Sequence, residues 1–423
     1  MYTKTYNKSL LRMFWTNKIR FVIIATLTAI STAIVGGFGS VAPRIRHTVR
    51  NAIANSPTNT YPYTCPEGAF CPQPGYFDEA LHTALGIERI SYVFPIFFVI
   101  VTCLVVFMTI TRLVETEKAQ IACLKTIGYN KIQIIGKYLL FTFIASLLGI
   151  GLGVIFGRFV VHPVIFNSII THHDMPLAAN PFSLYTTVVS ILTLFFAMLV
   201  TFSTAIHVAR KSPTTLLSGG APKQGGKILL ERIPFIWKLM PFRYKSTLRN
   251  IFRYRIRLLT TIFSMIFSTA LVFAGIALYF GLRGSNPGLL DTIRPITAII
   301  VIAAVFVNVL VIFNITNINI DERKREIATL KVLGYRNVEV SGYIFREIFI
   351  TTFIGIVIGL PVGYFFMSFI FDFFLMYGAL EFVDWYVWII TTVLSFSSLA
   401  IVDLLLFRKI HQTDMNSSLK TVE

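Results

Sequence analysis

The sequence predicts an all-α integral membrane protein. It has eight transmembrane helices in two parallel repeats, each of one helix plus three, with the N- and C-termini cytoplasmic. Three observations lead there. Of 423 residues, 55% are hydrophobic and only 14% charged, where a soluble domain is about a quarter charged. The apolar residues gather into eight runs, each near the ~20 residues that span a bilayer. The second half of the chain also repeats the first.

In order, the runs are 21–41, 90–111, 139–160, 183–206, 258–280, 296–318, 343–366 and 385–407. The first is too long for the apolar part of a cleavable signal peptide, and no small-residue cleavage site precedes polar sequence, so it reads as a span. Net charge is +18, which by itself would fit a nucleic-acid binder. Its placement argues otherwise. With both termini inside, the segments 1–20, 112–137, 207–257, 321–346 and 408–423 hold 31 of the 38 Lys and Arg. This positive-inside bias sets the orientation. Most of the basicity is then topology, with anionic membrane lipids as the partner and no nucleic acid. Seven arginines remain outside: Arg44, Arg46, Arg50, Arg89, Arg158, Arg283 and Arg294. The first three, in PRIRHTVR, run against the bias, and contact with outer headgroups is the plainest account of them.

The duplication is read from two charged islands. ETEKAQIACLKTIGYNKIQI (115–134) and DERKREIATLKVLGYRNVEV (321–340) align without a gap at an offset of 206. Lys118 meets Lys324, Ile121 meets Ile327, Leu124–Lys125 meets Leu330–Lys331, and Gly128–Tyr129 meets Gly334–Tyr335. The register continues into the next run, where Gly149, Gly153 and Gly157 meet Gly355, Gly359 and Gly363. Upstream, KSLLRMFWTNKIR (8–20) matches KSTLRNIFRYRIR (245–257) at an offset of 237. The domain reading is a first half over 1–206, a cytoplasmic linker and amphipathic segment over 207–257, and a second half over 258–423. An even number of spans per half keeps the two halves in one orientation. Each island reads as a short amphipathic helix: Ile327, Leu330 and Leu333 recur at helical spacing, and Gly334 stands where a left-handed residue would stop the helix. A single such helix could simply lie among headgroups. Two, with the same spacing, cap and following Tyr, look like two plugs for a two-fold partner. Leu330 is the apolar plug residue of that reading.

The islands resemble the loop between the second and third helices of FtsX/MacB-type permeases, the membrane subunits of type VII ABC transporters. The family pattern E-I-(A/G)-x-L-K-x-(I/L)-G-Y is nearly complete at 326–335; at 120–129 it is weaker, with Gln120 in place of the acid that Glu326 supplies. The segment 229–257 and the tail 408–423 are similar to the family too, although Met415 stands where Pro is usual. The resemblance covers nearly the whole chain outside the first outer loop. It implies that each island is a coupling helix docking into an ABC ATPase homodimer, one island per ATPase protomer. The implied ATPase-coupling residues are Lys118, Ile121, Leu124, Lys125, Gly128, Tyr129, Lys324, Glu326, Ile327, Leu330, Lys331, Gly334 and Tyr335. It also implies a multi-pass protein of the bacterial inner membrane, a stroke passed to the outer side by mechanotransmission, and a possible extracytoplasmic adaptor.

No ATPase motif is expected in the chain. The nearest phosphate-loop candidate, GGAPKQGGKI (219–228), lacks the first glycine and the hydroxyl after its lysine. ATP and Mg then belong to a separate subunit, and this chain is a non-catalytic component that binds no cofactor. The first outer loop, about 42–89, is under fifty residues, too short for much of a core. Many relatives carry a folded domain there. CPEGAFC places Cys65 and Cys71 six apart, which reads as a small disulfide in an oxidising compartment, or as two reduced thiols otherwise. HHDM (172–175) lacks a convergent ligand set for a metal. The glycine ladders read as helix packing. Asn308, Asn314 and Asn317 read as bonds between helices. Asp403, an acid near the inner end of the last span, is either functional or an ion-pair partner of Arg408. No nucleophile–base pair or carboxylate dyad is present. The leading reading is an ABC permease exporting or extracting a hydrophobic, lipid-like or peptide substrate, entering from the bilayer because so little outer domain exists. Its rival is an ATPase-driven signalling module controlling an outer enzyme or sensor. A passive ion channel would leave the islands unexplained.

Overall fold

The structure is a computed structural model that describes residues 2–55, 76–165, 167, 184–217, 245, 255–281, 287–370 and 383–411. Among the described residues there are helices and turns and no strands. The helices are α1 (Tyr2–Thr16), α2 (Lys18–Asn55), α3 (Tyr76–Thr116), α4 (Lys118–Thr126), α5 (Lys131–Phe156, continued by a π-helical turn Gly157–Val161), α6 (Leu184–Ala209) and α7 (Pro213–Leu217). They continue as α8 (Arg255–Gly281), α9 (Pro287–Glu322), α10 (Lys324–Val332), α11 (Asn337–Ile370) and α12 (Trp385–His411).

Among the described residues, eight helices are long and apolar enough to cross a membrane: Lys18–Phe38, Phe94–Thr116, Lys131–Ile165, Thr186–Ala209, Leu258–Phe280, Arg294–Glu322, Glu339–Phe369 and Trp385–Lys409. Each overlaps one predicted run. The expected outer loop at 42–89 differs, because α2 continues to Asn55 and α3 starts at Tyr76. Hydropathy marks where a helix leaves the apolar layer, not where its backbone hydrogen bonds stop, so polar helical extensions are invisible to it. Cys65, Cys71 and the HHDM stretch lie outside the described residues. Cys103 and Cys123 are free thiols.

In lipid, helices gain little by hiding apolar surface from one another, so close backbone approach has to supply the contact. The glycine ladder does this. A Cβ on Gly149 would stand 1.9 Å from Thr28 Oγ1, and one on Gly153 1.8 Å from Thr32 Oγ1 and 2.4 Å from the Ala29 carbonyl. Thr28 and Thr32 donate to the carbonyls of Ile24 and Thr28 at 2.9 and 2.8 Å, so their hydroxyls are satisfied within α2. In the second half a Cβ on Gly355 would stand 2.3 Å from Met265 Cβ, and one on Gly359 2.9 Å from Thr269 Cβ. Gly149 and Gly355 differ by 206, and Thr28 and Met265 by 237; the second pair of contacts keeps both offsets. The packing of α5 on α2 is thus repeated, residue for residue, by α11 on α8.

The halves meet through their first two spans. One continuous apolar core holds Ile23, Leu27 and Phe38 of α2, Phe94 and Val101 of α3, Leu271 and Phe273 of α8, and Ile300 and Val311 of α9. Accordingly 83% of the apolar window of α8 is buried, against 33% for α6 and α12. Polar bonds add register. Asn314 Nδ2 donates to Thr109 Oγ1 at 3.0 Å between halves, Asn308 Oδ1 accepts from Ser268 at 2.9 Å, and Asn317 accepts from Lys409. All three asparagines therefore bond between helices. Asp403 does not pair with Arg408, and its Oδ1 is buried without a hydrogen bond among the described residues.

The ladder makes a sharp prediction. Gly153→Ala should destabilise the fold by about 1–3 kcal/mol, because the new methyl meets backbone that cannot move aside. Gly151→Ala, with nothing within 4 Å of its Cβ, should change stability by no more than about 0.5 kcal/mol. Thermal unfolding of the two purified variants in the same detergent checks the contrast.

Candidate ATPase-docking site

Each charged island folds into the same object. α3 and α4 are almost one helix, broken at Glu117 (φ −94°, ψ 12°), and α9 and α10 are broken at Arg323 (φ −103°, ψ 14°). Those two positions are 206 apart. Nine-residue helices follow and end alike. Gly128 and Gly334 have φ of +100° and +90°, the left-handed conformation that glycine adopts without a Cβ penalty. Gly128 N donates to the Lys125 carbonyl at 3.1 Å and Tyr129 N to Leu124 at 3.0 Å; Gly334 N and Tyr335 N repeat this on Lys331 and Leu330 at 3.0 and 3.1 Å. This paired closure is the Schellman motif. The next helix is then started by a side chain reaching back to the backbone, Gln133 to Asn130 N and Glu339 to Arg336 N, both at 3.0 Å.

Burial sorts the predicted residues into two groups. Ile121 and Ala122, and likewise Ile327 and Ala328, are buried in the core and anchor the short helices to the spans. Leu124, Leu330 and Tyr129 are partly buried against the same clusters. Lys125 donates to the Lys211 carbonyl, so the segment leading into α7 lies beside α4. Burial first, then the charge of Lys131, holds the Lys125 ammonium below the ordinary lysine range; burial alone does so at Lys331. Lys118 opens α4, its Nζ 3.9 Å from Glu115, and Lys324 opens α10. Glu326 and Tyr335 are exposed.

The outward apolar tip was not among the expected coupling residues, although Leu333 was read as part of the apolar periodicity. Ile127 is 60% exposed and its equivalent Leu333 is 69% exposed, each immediately before the left-handed glycine. Val332 shares the second tip. The signal was available: an apolar residue precedes the glycine in both copies.

A second omission is the clamp behind each island. Glu117 Oε2 accepts from Lys137 Nζ and from the Tyr138 hydroxyl, both at 2.9 Å and both buried. In the second half Arg323 is buried against Glu347 of α11. The hinge residue is thus an acid bound to a base in one half and a base bound to an acid in the other. Arg112 of α3 meets Glu322 of α9 at 2.9 Å, tying the two islands' roots together.

An α-helical chain with eight spanning helices, and with one packing unit and one short surface helix each present twice, is a polytopic membrane protein of duplicated design. The sequence pattern of the FtsX-like permease C-terminal domain matches residues 92–213 and again 298–412. The chain belongs to the FtsX-like permease family, with two FtsX-like repeats in one chain. Members of this family are in general non-catalytic membrane subunits that work with an ABC ATPase. No curated protein and no solved structure matches the chain.

Removing one partner of a buried ion pair leaves the other charge uncompensated, which costs about 3–5 kcal/mol. Glu117→Met or Lys137→Met alone should therefore destabilise strongly, whereas the two combined should recover most of the loss. A double-mutant cycle on the thermal unfolding of the purified chain measures this, and simple additivity would dissolve the clamp.

Proposed function

We propose that this chain is the permease of an ABC transporter, one polypeptide supplying both docking elements for an ATPase homodimer. Residues 1–206 and 258–423 are the two halves and 207–257 the cytoplasmic joint between them. The positive-inside bias supports cytoplasmic termini and islands. The observation that carries the reading is the duplicated tip: an exposed apolar residue, a left-handed glycine and a tyrosine, held by a buried clamp on the end of a spanning helix. A surface helix resting in headgroups needs no such rigid mount. A lever does, because a push at Ile127 or Leu333 reaches α5 and α11 only if the joint does not yield.

In this reading Ile121, Ala122, Ile327 and Ala328 belong to the mount. Contact with the ATPase is made by Ile127, Gly128 and Tyr129, and by Val332, Leu333, Gly334 and Tyr335, with Lys118, Leu124, Lys125, Lys324, Glu326, Leu330 and Lys331 around them. Closure of the ATPase dimer brings the tips together, and the glycine-packed pairs α2–α5 and α8–α11 carry the motion across the bilayer. ATP and Mg stay on the ATPase. The substrate is a hydrophobic or lipid-like molecule taken from the bilayer, supported by the short connection between α2 and α3.

Two measurements test this. Native mass spectrometry of the complex should show one permease per two ATPase chains; two permeases per ATPase pair would defeat the single-chain design. Ile127→Asp and Leu333→Asp together should abolish co-purification of the ATPase, since truncating a docking hot spot costs about 2 kcal/mol or more. Both residues point away from the core, so the permease itself should stay folded. ATPase retained at wild-type level in the double variant would sink the docking assignment.

A further inference from the structure

The outward face of α1 has no part in the docking site. The backbone ladder runs on across the joint with α2, Asn17 N donating to the Met13 carbonyl and Phe21 N to the Asn17 carbonyl, both at 3.0 Å. Lys8, Leu11, Arg12, Trp15, Lys18 and Ile19 therefore share one face. All six are exposed, Leu11 at 64% and Trp15 at 78%. The opposite face is fixed to the bundle. Met13 and Arg20 are buried, and Phe14 packs on Phe21 and on Phe141 of α5, with ring centroids 5.5 and 5.2 Å apart.

The duplication treats the two faces of this helix differently. At the offset of 237 the six exposed residues meet Lys245, Leu248, Arg249, Phe252, Arg255 and Ile256, and every position keeps its cationic, aliphatic or aromatic character. On the inward side Arg20 meets Arg257, but Met13 meets Asn250 and Asn17 meets Tyr254. A packing role alone predicts the reverse, because buried contacts constrain side chains and exposed positions tolerate change. The outward face therefore has a contact of its own.

Depth and chemistry identify that contact. Phe141 lies within the apolar span Lys131–Ile165, and its neighbours Leu140 and Phe143 are exposed, so at that level α5 faces lipid. Trp15 follows Phe14 and stands at the same level, near the boundary where tryptophan is enriched. From Trp15 back to Lys8 is at most about 10 Å of helix, enough to cross a headgroup layer of about 5–8 Å. Residues 1–20 carry five Lys and Arg and no Asp or Glu. Apolar and cationic side chains interleaved on one face suit that layer, the apolar ones entering the acyl boundary while the cations reach the phosphates. A soluble acidic partner would meet the cations but could not reach Trp15 at the depth of the lipid.

We propose that this face of α1 binds anionic phospholipids at the membrane surface, and that the contact steadies the first docking tip. The link is the joint at Asn17. Its Nδ2 stands 3.5 Å from Oε1 of Glu117, the residue at which α3 breaks into α4, and Arg20 donates to Thr116 Oγ1 at 3.4 Å. Phe141, which holds Phe14, lies one helical turn beyond Lys137 and Tyr138, the two residues that grip the other Glu117 oxygen. A headgroup-bound α1 is held at both of these contacts, so the Glu117 clamp has less freedom to open. The inference rests on the proposed function only for the choice of leaflet and for calling the tip a docking element; lipid binding by α1 depends on neither.

The main series uses the full-length permease alone, so a failure of ATPase docking does not touch it. The purified chain is placed in nanodiscs of phosphatidylcholine with or without phosphatidylglycerol, and amide hydrogen exchange in α1 and α4 is read by mass spectrometry. Phosphatidylglycerol should slow exchange in both helices by about tenfold or more, since each cation near an anionic surface contributes about fivefold in affinity. High salt should remove the effect by screening. Lys8→Gln, Arg12→Gln and Lys18→Gln together should remove it too, leaving the inward face of α1 unaltered. The salt arm uses the unaltered chain, so it decides even where the triple variant inserts poorly. A last sample adds the ATPase. Exchange that ignores phosphatidylglycerol, slowing that persists at high salt, slowing in α1 with none in α4, or protection of α1 that comes only with the ATPase would each overturn the proposal.

Discussion

Close approach of two backbones is the constraint on which this structure depends. At Gly149 and Gly153 the surface of α5 has no side chain, and α2 fills the space so fully that a methyl group would collide with its carbonyl oxygens. A helix pair of that kind has few ways to slide or rotate. The same contact between α11 and α8 makes two stiff pairs, and the apolar core shared by α2, α3, α8 and α9 holds them side by side. Every other functional feature is mounted on these pairs. α4 leads directly into α5 and α10 into α11, so the position of each exposed tip is set by the span that follows it.

The clamp at the root of each tip shows what was held constant in the duplication. The backbone break falls at equivalent residues, the short helices have equal length, and the two closing hydrogen bonds differ by no more than 0.1 Å between copies. The chemistry that fixes the break is inverted: Glu117 with Lys137 in one half, Arg323 with Glu347 in the other. A buried ion pair depends on charge complementarity and geometry, not on which side carries which sign. The partner also comes from a position one helical turn further along in the second copy, so a buried ion pair at the break, and not one particular pair, is the retained property. The exposed tip residues, by contrast, keep their character: Ile127 and Leu333 are both apolar, and Gly128–Tyr129 and Gly334–Tyr335 are the same.

Much of this was legible in the sequence, for reasons that differ by element. Spanning helices announce themselves through composition, since each must satisfy its own backbone in lipid. The duplication was legible because two gapless offsets hold over unrelated residue types. Gly334 could be read as a left-handed cap because it ends an apolar periodicity. The helical continuations of α2 to Asn55 and of α3 from Tyr76 were not legible, since hydropathy falls there while the backbone pattern persists. Burial of Ile121 and Ile327 was hidden too. An amphipathic helix has an apolar stripe, but the sequence does not say whether that stripe faces its own protein or a partner. Here the stripe faces inward, and the outward apolar contact is displaced to the C-terminal tip. The clamp was missed because Glu117 and Arg323 look like ordinary members of charged islands until their depth is known.

Duplication also frees one copy to change. Both halves need the glycine contact and the tip, and both keep them. The junction around Gly36 and Arg158 carries no such obligation, and there the copies diverge: Phe273 and Tyr364 pack against Trp388 in one half, while Gly36 and Arg158 line a cavity in the other. The filled version is what packing alone favours, because aromatic rings exclude lipid and add contact area. The open version gives up that contact, and its arginine lies over the Phe159 ring instead. The second half shows that the same helices can pack without the gap, so the gap does not follow from the fold. It is a property of the first half's residues.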